Sequence, residues 1–223
     1  MKHALIVWGG WMGHQPDTLA GLFAGWLRGD GFQVDVSASL DALKDVAALK
    51  QRDLIVPIWT MGKIEKAHED AVSEAVASGV GLAGCHGGMC DAFRESVTWQ
   101  FITGGNWVAH PGNDQVDYLV NIRHSSSPLV AGVKDFRVKS EQYYLHVDPA
   151  VEVLATTRFP IADGPHAVNG PVDMPVVWTK RWGRGRVYYN ALGHSPDVFA
   201  IPEAKELMLR GLRWAADSRV SSP

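Results

Sequence analysis

The stretch GVGLAGCHGGMCDAF, Gly79 to Phe93, decides how this chain is read. Its first half, VGLAGC, is a short apolar run of the kind that forms a strand buried on both faces. Its second half holds a cysteine and a histidine between glycines, where a strand turns sharply into a helix. Such an elbow needs small residues two places before and two places after its tip, because helix and strand pack closely there. Centred on Cys85, those places are Ala83 and Gly87; centred on His86, they are Gly84 and Gly88, a full G-x-H-x-G. The second frame meets the steric demand better and puts His86 at the tip. A cysteine tip would suggest a thiol nucleophile. A histidine suits proton transfer, hydrogen bonding to a hydroxyl, or metal ligation. The bland reading is a structural turn in which His86 bonds a nearby carbonyl.

Working outward, the first half of the chain alternates strand and helix. ALIVW (Ala4 to Trp8) reads as a buried strand, and Leu19, Leu22, Phe23, Trp26 and Leu27 recur at helical spacing until GDG stops them. FQVDVS is a half-exposed strand, a helix is expected over 41–49, and DLIVPIW (Asp53 to Trp59) is a third strand. Ile64, Ala67, Ala71, Val72, Ala75 and Val76 make one helical face before VGLAGC. This order predicts an α/β fold: an open, mostly parallel sheet with helices on both faces, of the flavodoxin-like type. From about Asp114 the texture turns to strands: DQVDYLVNIR, DFRVKSEQYY, VEVLATT and a hairpin turning at Trp182 to Gly185. These add antiparallel strands to the C-terminal half. A helix over 203–216 closes the chain, and SRVSSP reads as a frayed tail. The Gly/Pro-rich connection from Phe159 to Pro175 is long enough to be a substrate-covering flap. No linker divides the chain, so residues 1–223 are expected to be one domain.

Lys plus Arg is 21 against 24 for Asp plus Glu, and the net charge of -3 excludes a nucleic-acid footprint and a polybasic membrane patch. No apolar run approaches the ~20 residues of a membrane span. MKHALIVWGG reads as a first strand, not a signal peptide, and two cysteines are a poor disulfide framework. A cytoplasmic protein is expected, and a homo-oligomer is left open.

Ligands of open α/β sheets bind at the carboxyl ends of the strands. Those ends hold His14, His86 and, after the last apolar strand, His194. His110 follows a Gly-Gly turn. Glu141 lies in a strand rich in aromatics, where its carboxylate either faces solvent or points into a cleft as general base or ligand. Tyr143 shares its strand parity and hence its face. His146 falls on the opposite parity, His166 in the long loop, and His68 in a helix beside charges, which reads as surface. His3 and His124 are unremarkable. Together His14, His86, His110, His194 and Glu141 would suit zinc or another divalent transition metal. No H-x-H or H-E-x-x-H signature supports this.

With WMGHQP after the first strand, the CHGG elbow, ITGGNWVAHPG (Ile102 to Gly112), SEQYY and the late GHS (Gly193 to Ser195), the chain resembles the ThuA (trehalose utilisation) family. These segments span nearly the whole sequence. The resemblance implies the class I glutamine amidotransferase-like fold without its thiol chemistry, since the family carries histidine where amidotransferases carry cysteine. It also implies a role in sugar catabolism, beside oxidoreductases that make 3-keto sugars. The substrate is then a small carbohydrate, with tryptophans such as Trp11, Trp59 and Trp107 stacking on its ring. His86 and Glu141 are the expected acid/base pair for elimination, hydration or isomerisation. His14, His110, Tyr143 and His194 bind substrate, or the histidines hold a metal. The rival readings are a thiol amidase using Cys85 with His194 as base, and a non-catalytic sugar-binding or regulatory protein.

Overall fold

The computed structural model describes residues 1–123, 125–160 and 164–221; His124 lies outside them. Strands β1 (His3–Gly10), β2 (Gln33–Ser37), β3 (Leu54–Thr60) and β4 (Gly81–Cys85) alternate with helices α1 (Pro16–Gly29), α2 (Val46–Leu49) and α3 (Lys66–Ala77). Two short helices, α4 (Gly87–Cys90) and α5 (Val97–Thr103), follow the elbow. The second half holds β5 (Gly105–Ala109), β6 (Val116–Ile122), β7 (Phe136–Ser140), β8 (Tyr144–Val147), β9 (Glu152–Phe159), β10 (Val172–Trp182), β11 (Gly185–Asn190) and α6 (Pro202–Ala216).

A nine-stranded sheet runs β2-β1-β3-β4-β11-β10-β9-β6-β7, and a separate antiparallel pair joins β5 to β8. From β2 to β11 the neighbours are parallel. From β11 to β7 they are antiparallel. The expected architecture is therefore present, as a parallel half and an antiparallel half of one sheet. The chain steps from β1 outward to β2 and then back across to β3. With right-handed crossovers that reversal puts α1 on one face and α2 and α3 on the other. Helix α6 packs on β4 and β11 and shares the 3-10 turn at Pro196–Ala200 with α1. The reversal also opens a crevice at the carboxyl ends of β1, β3 and β4. β3 and β4 are buried almost throughout, with Leu54, Val56 and Leu82 wholly enclosed.

Several expected elements differ. The 41–49 helix is a 3-10 turn (Leu40–Leu43) and the single turn α2, because the side chains of Ser39 and Asp45 each cap backbone N–H groups and restart the chain. The strand expected to run through Tyr144 stops at Ser140, so Glu141 and Tyr143 lie in a connecting segment and strand parity does not govern them. In the Phe159–Pro175 connection, Gly164–Asn169 forms a 3-10 helix with His166 set edge-on against Tyr144. None of its described residues is among those lining the cleft described below. The tail from Ser218 turns as a 3-10 helix, and the Ser218 hydroxyl accepts from the Arg186 amide. His68 is buried, not on the surface: Ala71, Val72 and Ala75 share its face of α3 at helical spacing. Among the described residues no helix is long and apolar enough to cross a membrane.

Candidate functional site

The elbow is built as the glycine frame around His86 requires. His86 has φ 47° and ψ -140°, a strained conformation for a residue with a Cβ and one that clusters at functional sites. A Cβ on Gly84 would lie 2.9 Å from Met89 Sδ, and one on Gly88 would lie 2.9 Å from Ile58 Cα. Both are closer than real contacts allow, so β4, β3 and α4 pack this tightly only over glycine. The turn is clamped by two bonds to the backbone of His86: its N–H donates to Asn190 O at 2.7 Å, and the Tyr189 hydroxyl donates to its carbonyl at 3.1 Å. Cys85 is buried at 1% exposure, and burial pushes its thiol far above the ordinary range. A poised nucleophile needs the opposite environment.

Four side chains from distant parts of the sequence converge on the tip. One ligand atom from each of His14, His86, Glu141 and His194 lies within 4.8 Å of every other. Glu141 Oε2 is the hub: His86 Nε2 is 3.0 Å away, His194 Nδ1 3.3 Å and His14 Nε2 3.7 Å. His110 stands one step out, its Nδ1 3.7 Å from the other oxygen, Oε1. Only the His86 contact is a hydrogen bond by direction, and Nδ1 of both His110 and His194 is buried without a partner among the described residues. Behind the cluster, His86 Nδ1 meets Ala191 O at 2.7 Å, and His14 Nδ1 meets Thr60 Oγ1 at 2.9 Å. Glu141 is fixed from its own backbone, whose carbonyl accepts from Tyr118 Oη at 3.1 Å.

Burial lowers the His86 pKa from 6.5 to about 4 against the opposing pull of Glu141, so the ring is neutral near pH 7. Burial would raise Glu141, but the imidazoles of His14, His194 and His86 outweigh it and hold the carboxyl well below its usual range. Tyr143 stacks on His86 with ring centres 3.9 Å apart, and burial raises its phenol well above the ordinary value, which keeps it protonated.

The cluster floors a cleft of about 470 Å³, within the ~300–1,000 Å³ of small-molecule sites. Trp11, Trp107, His110 and Tyr143 line its walls, so these sequence candidates do meet His14, Glu141 and His194 in one place. His86 lies beneath, 1% exposed. Trp59 is not in the cleft; it borders an interior void beside Val7 and Leu40. His146 is exposed on β8. Sequence reading missed Asp91 and Arg94, which also line the cleft. Their signal was the pair three residues apart just past the elbow, in CDAFRES.

The family model described as ThuA, trehalose utilisation, matches residues 3–215. The chain belongs to the ThuA family. That membership supports a role related to carbohydrate utilisation. A ThuA-like protein from Bacteroides uniformis superposes with a TM-score of 0.77 at 21% identity, over 96% of this chain and 91% of that one. A ThuA-like protein from Parabacteroides merdae gives 0.79 at 19% identity, over 100% and 92%. The cytoplasmic protein STM1381 from Salmonella typhimurium gives 0.66 at 14% identity, over the whole of both chains. At these identities the likeness is one of fold. No curated protein matches the chain.

Proposed function

We propose that this chain is an enzyme of carbohydrate catabolism that moves a proton next to the carbonyl of an oxidised sugar or glycoside. In this reading a divalent transition metal, zinc or similar, is held by His14, His86, Glu141 and His194. The carrying observation is the pairing of His86 with Glu141. Ala191 O only accepts, so Nδ1 of His86 carries the ring proton in the neutral tautomer. Nε2 then turns a lone pair toward a carboxylate oxygen 3.0 Å away. Two acceptors at that distance repel unless a shared proton or a metal ion lies between them, and a lone shared proton would serve only one of the imidazoles gathered here. Two further imidazoles approach the same oxygen at 3.3 and 3.7 Å. Ligands ~2.1 Å from a tetrahedral zinc stand ~3.4 Å apart, so these spacings suit a metal. The bonds from Nδ1 of His86 and of His14 to a carbonyl and a hydroxyl are the outer partners that orient ligating imidazoles.

A bound divalent ion would polarise the substrate carbonyl. The residues of the chain do the rest. Glu141 Oε1, the oxygen turned away from the cluster hub, takes the proton from the carbon beside the carbonyl. The electron pair moves onto the carbonyl oxygen as an enolate. Returning the proton elsewhere gives isomerisation; expelling the substituent on the next carbon gives elimination, and adding water to that product gives hydration. His110, facing Oε1, is placed to pass the proton to solvent, and the protonated Tyr143 phenol is a donor for a substrate oxygen. Trp11 offers its ring at the cleft mouth, 46% exposed. The cytoplasm is the expected place of this reaction. The test is proton NMR of 3-keto-glycosides in D2O. Exchange or loss of the proton beside the carbonyl is expected with the wild type and not with His86→Ala; turnover that survives His86→Ala overturns the reading.

A further inference from the structure

The cleft carries a second set of polar groups that the acid/base chemistry does not use. Asp91 and Arg94 follow the elbow and line the same cleft as His14, Glu141 and His194. Arg94 Nη2 donates to Asp91 Oδ2 at 3.0 Å and its Nε donates to Oδ1. The guanidinium also lies over the Trp107 ring, 4.2 Å from its centre. Asp91 is buried, its side chain 4% exposed, whereas that of Arg94 is 39% exposed on the cleft. The planar fork is therefore fixed on two sides, by a bidentate carboxylate and by an aromatic face, which costs the side chain its freedom before any ligand arrives. Its Nη1 has no protein partner among the described residues, and the indole Nε1–H of Trp107 is buried without one.

We infer that Asp91, Arg94 and Trp107 form a hydroxyl-reading subsite for an unphosphorylated sugar, with Arg94 Nη1 and Trp107 Nε1–H donating to ring or glycosidic oxygens. This rests on the proposed reading of the cleft as a sugar site and adds the substrate class and its positioning residues. Arg94 covers one face of the Trp107 ring, and the unpartnered N–H is the polar contact the indole has left to offer. One observation fixes the class. Charge excludes a phosphorylated sugar: Asp91, Asp114 and Glu141 line the cleft against Arg94 as its lone guanidinium, so a dianionic phosphate meets excess negative charge. A divalent ion at the histidine cluster only brings that sum to neutrality. An ion pair whose sole duty was to brace the loop would not need to leave a guanidinium nitrogen without a protein partner on a cleft-lining residue, with an unpaired indole donor on its neighbour.

The experiment is calorimetric binding of trehalose, its 3-keto derivative and glucose 6-phosphate to the purified full chain, wild type and two variants. Arg94→Lys keeps a cation for the buried Asp91 but loses the planar fork, and Trp107→Phe keeps a ring beneath Arg94 but loses the N–H. Wild type is expected to bind the two neutral sugars in preference to glucose 6-phosphate. Each variant should weaken neutral-sugar binding about tenfold, the loss of ~1.4 kcal/mol, with metal content and thermal midpoint unchanged. Preference for glucose 6-phosphate, no binding of either neutral sugar by wild type, or unchanged affinity in both variants overturns the inference. Failure of the proton-transfer reading would leave these affinities and their loss intact. Failure of the subsite would leave metal content and proton exchange intact.

Discussion

Gly88→Ala should damage this protein although it adds a single methyl group to a helix-forming residue. The Cβ it introduces would stand 2.9 Å from Ile58 Cα, 3.4 Å from Ile58 C and 3.5 Å from Ile58 Cγ2. Its closest partner is backbone of β3, paired with Trp8 of β1 at this position, so no side chain can swing away to make room. Overpacking of this kind costs ~1–3 kcal/mol. At ~2–4 °C of midpoint per kcal/mol for a chain of this size, the thermal transition should fall by roughly 2–12 °C. The control is Gly21→Ala on the exposed face of α1, where nothing lies within 4 Å of the new Cβ. There the same substitution should stabilise by ~1 kcal/mol, the helix-propensity difference between the two residues. Thermal unfolding followed by circular dichroism reads both. A Gly88→Ala protein as stable as wild type would refute the elbow packing, and with it the placing of His86 at the tip.

Glu141→Gln removes the charge that faces the surrounding imidazoles; metal affinity should drop by at least the ~10–100-fold that even outer-shell changes cost, as equilibrium dialysis would show. The metal-free protein should lose stability as pH falls from about 6.5 to about 4, since His86 stays neutral when folded but takes a proton when unfolded. That loss is ~3 kcal/mol at ~1.4 kcal/mol per unit, and Glu141, depressed in the fold, adds to it as pH drops further below its unfolded value. Urea titrations at pH 7, 5.5 and 4 measure the sum; a flat profile contradicts the burial of His86. Iodoacetamide should leave Cys85 unmodified in the native protein and label it on unfolding, read by mass spectrometry; rapid native labelling with loss of activity would restore the thiol reading.

The parallel half of the sheet was legible because its strands are continuous apolar runs and its helices carry clear faces, as in Leu19, Phe23 and Trp26. The elbow was legible from glycine spacing alone, because steric demand there leaves little choice. Glu141 and Tyr143 were found for a reason the structure replaces. Period-two parity put them on one face, yet they lie past the end of β7, and the Tyr118 hydroxyl and the stacking on His86 aim them instead. The members of the cluster were named from the sequence, but their arrangement was not legible. Glu141 takes the central place and His110 stands one step out, since which loop reaches the hub depends on how the antiparallel half folds back over the parallel one. Arg94 had a local signal in Asp91, three residues before it, but its second partner is a tryptophan thirteen residues further on, a contact that no local pattern announces.

The central claim is that His14, His86, Glu141 and His194 hold a metal ion at the tip of the elbow. Elemental analysis of the gently purified protein, beside the His86→Gln variant, tests it most directly. The account predicts one equivalent of a divalent transition metal in the wild type and its loss in a variant that remains folded. A wild-type protein that carries no metal and takes up none when zinc or manganese is supplied would contradict it.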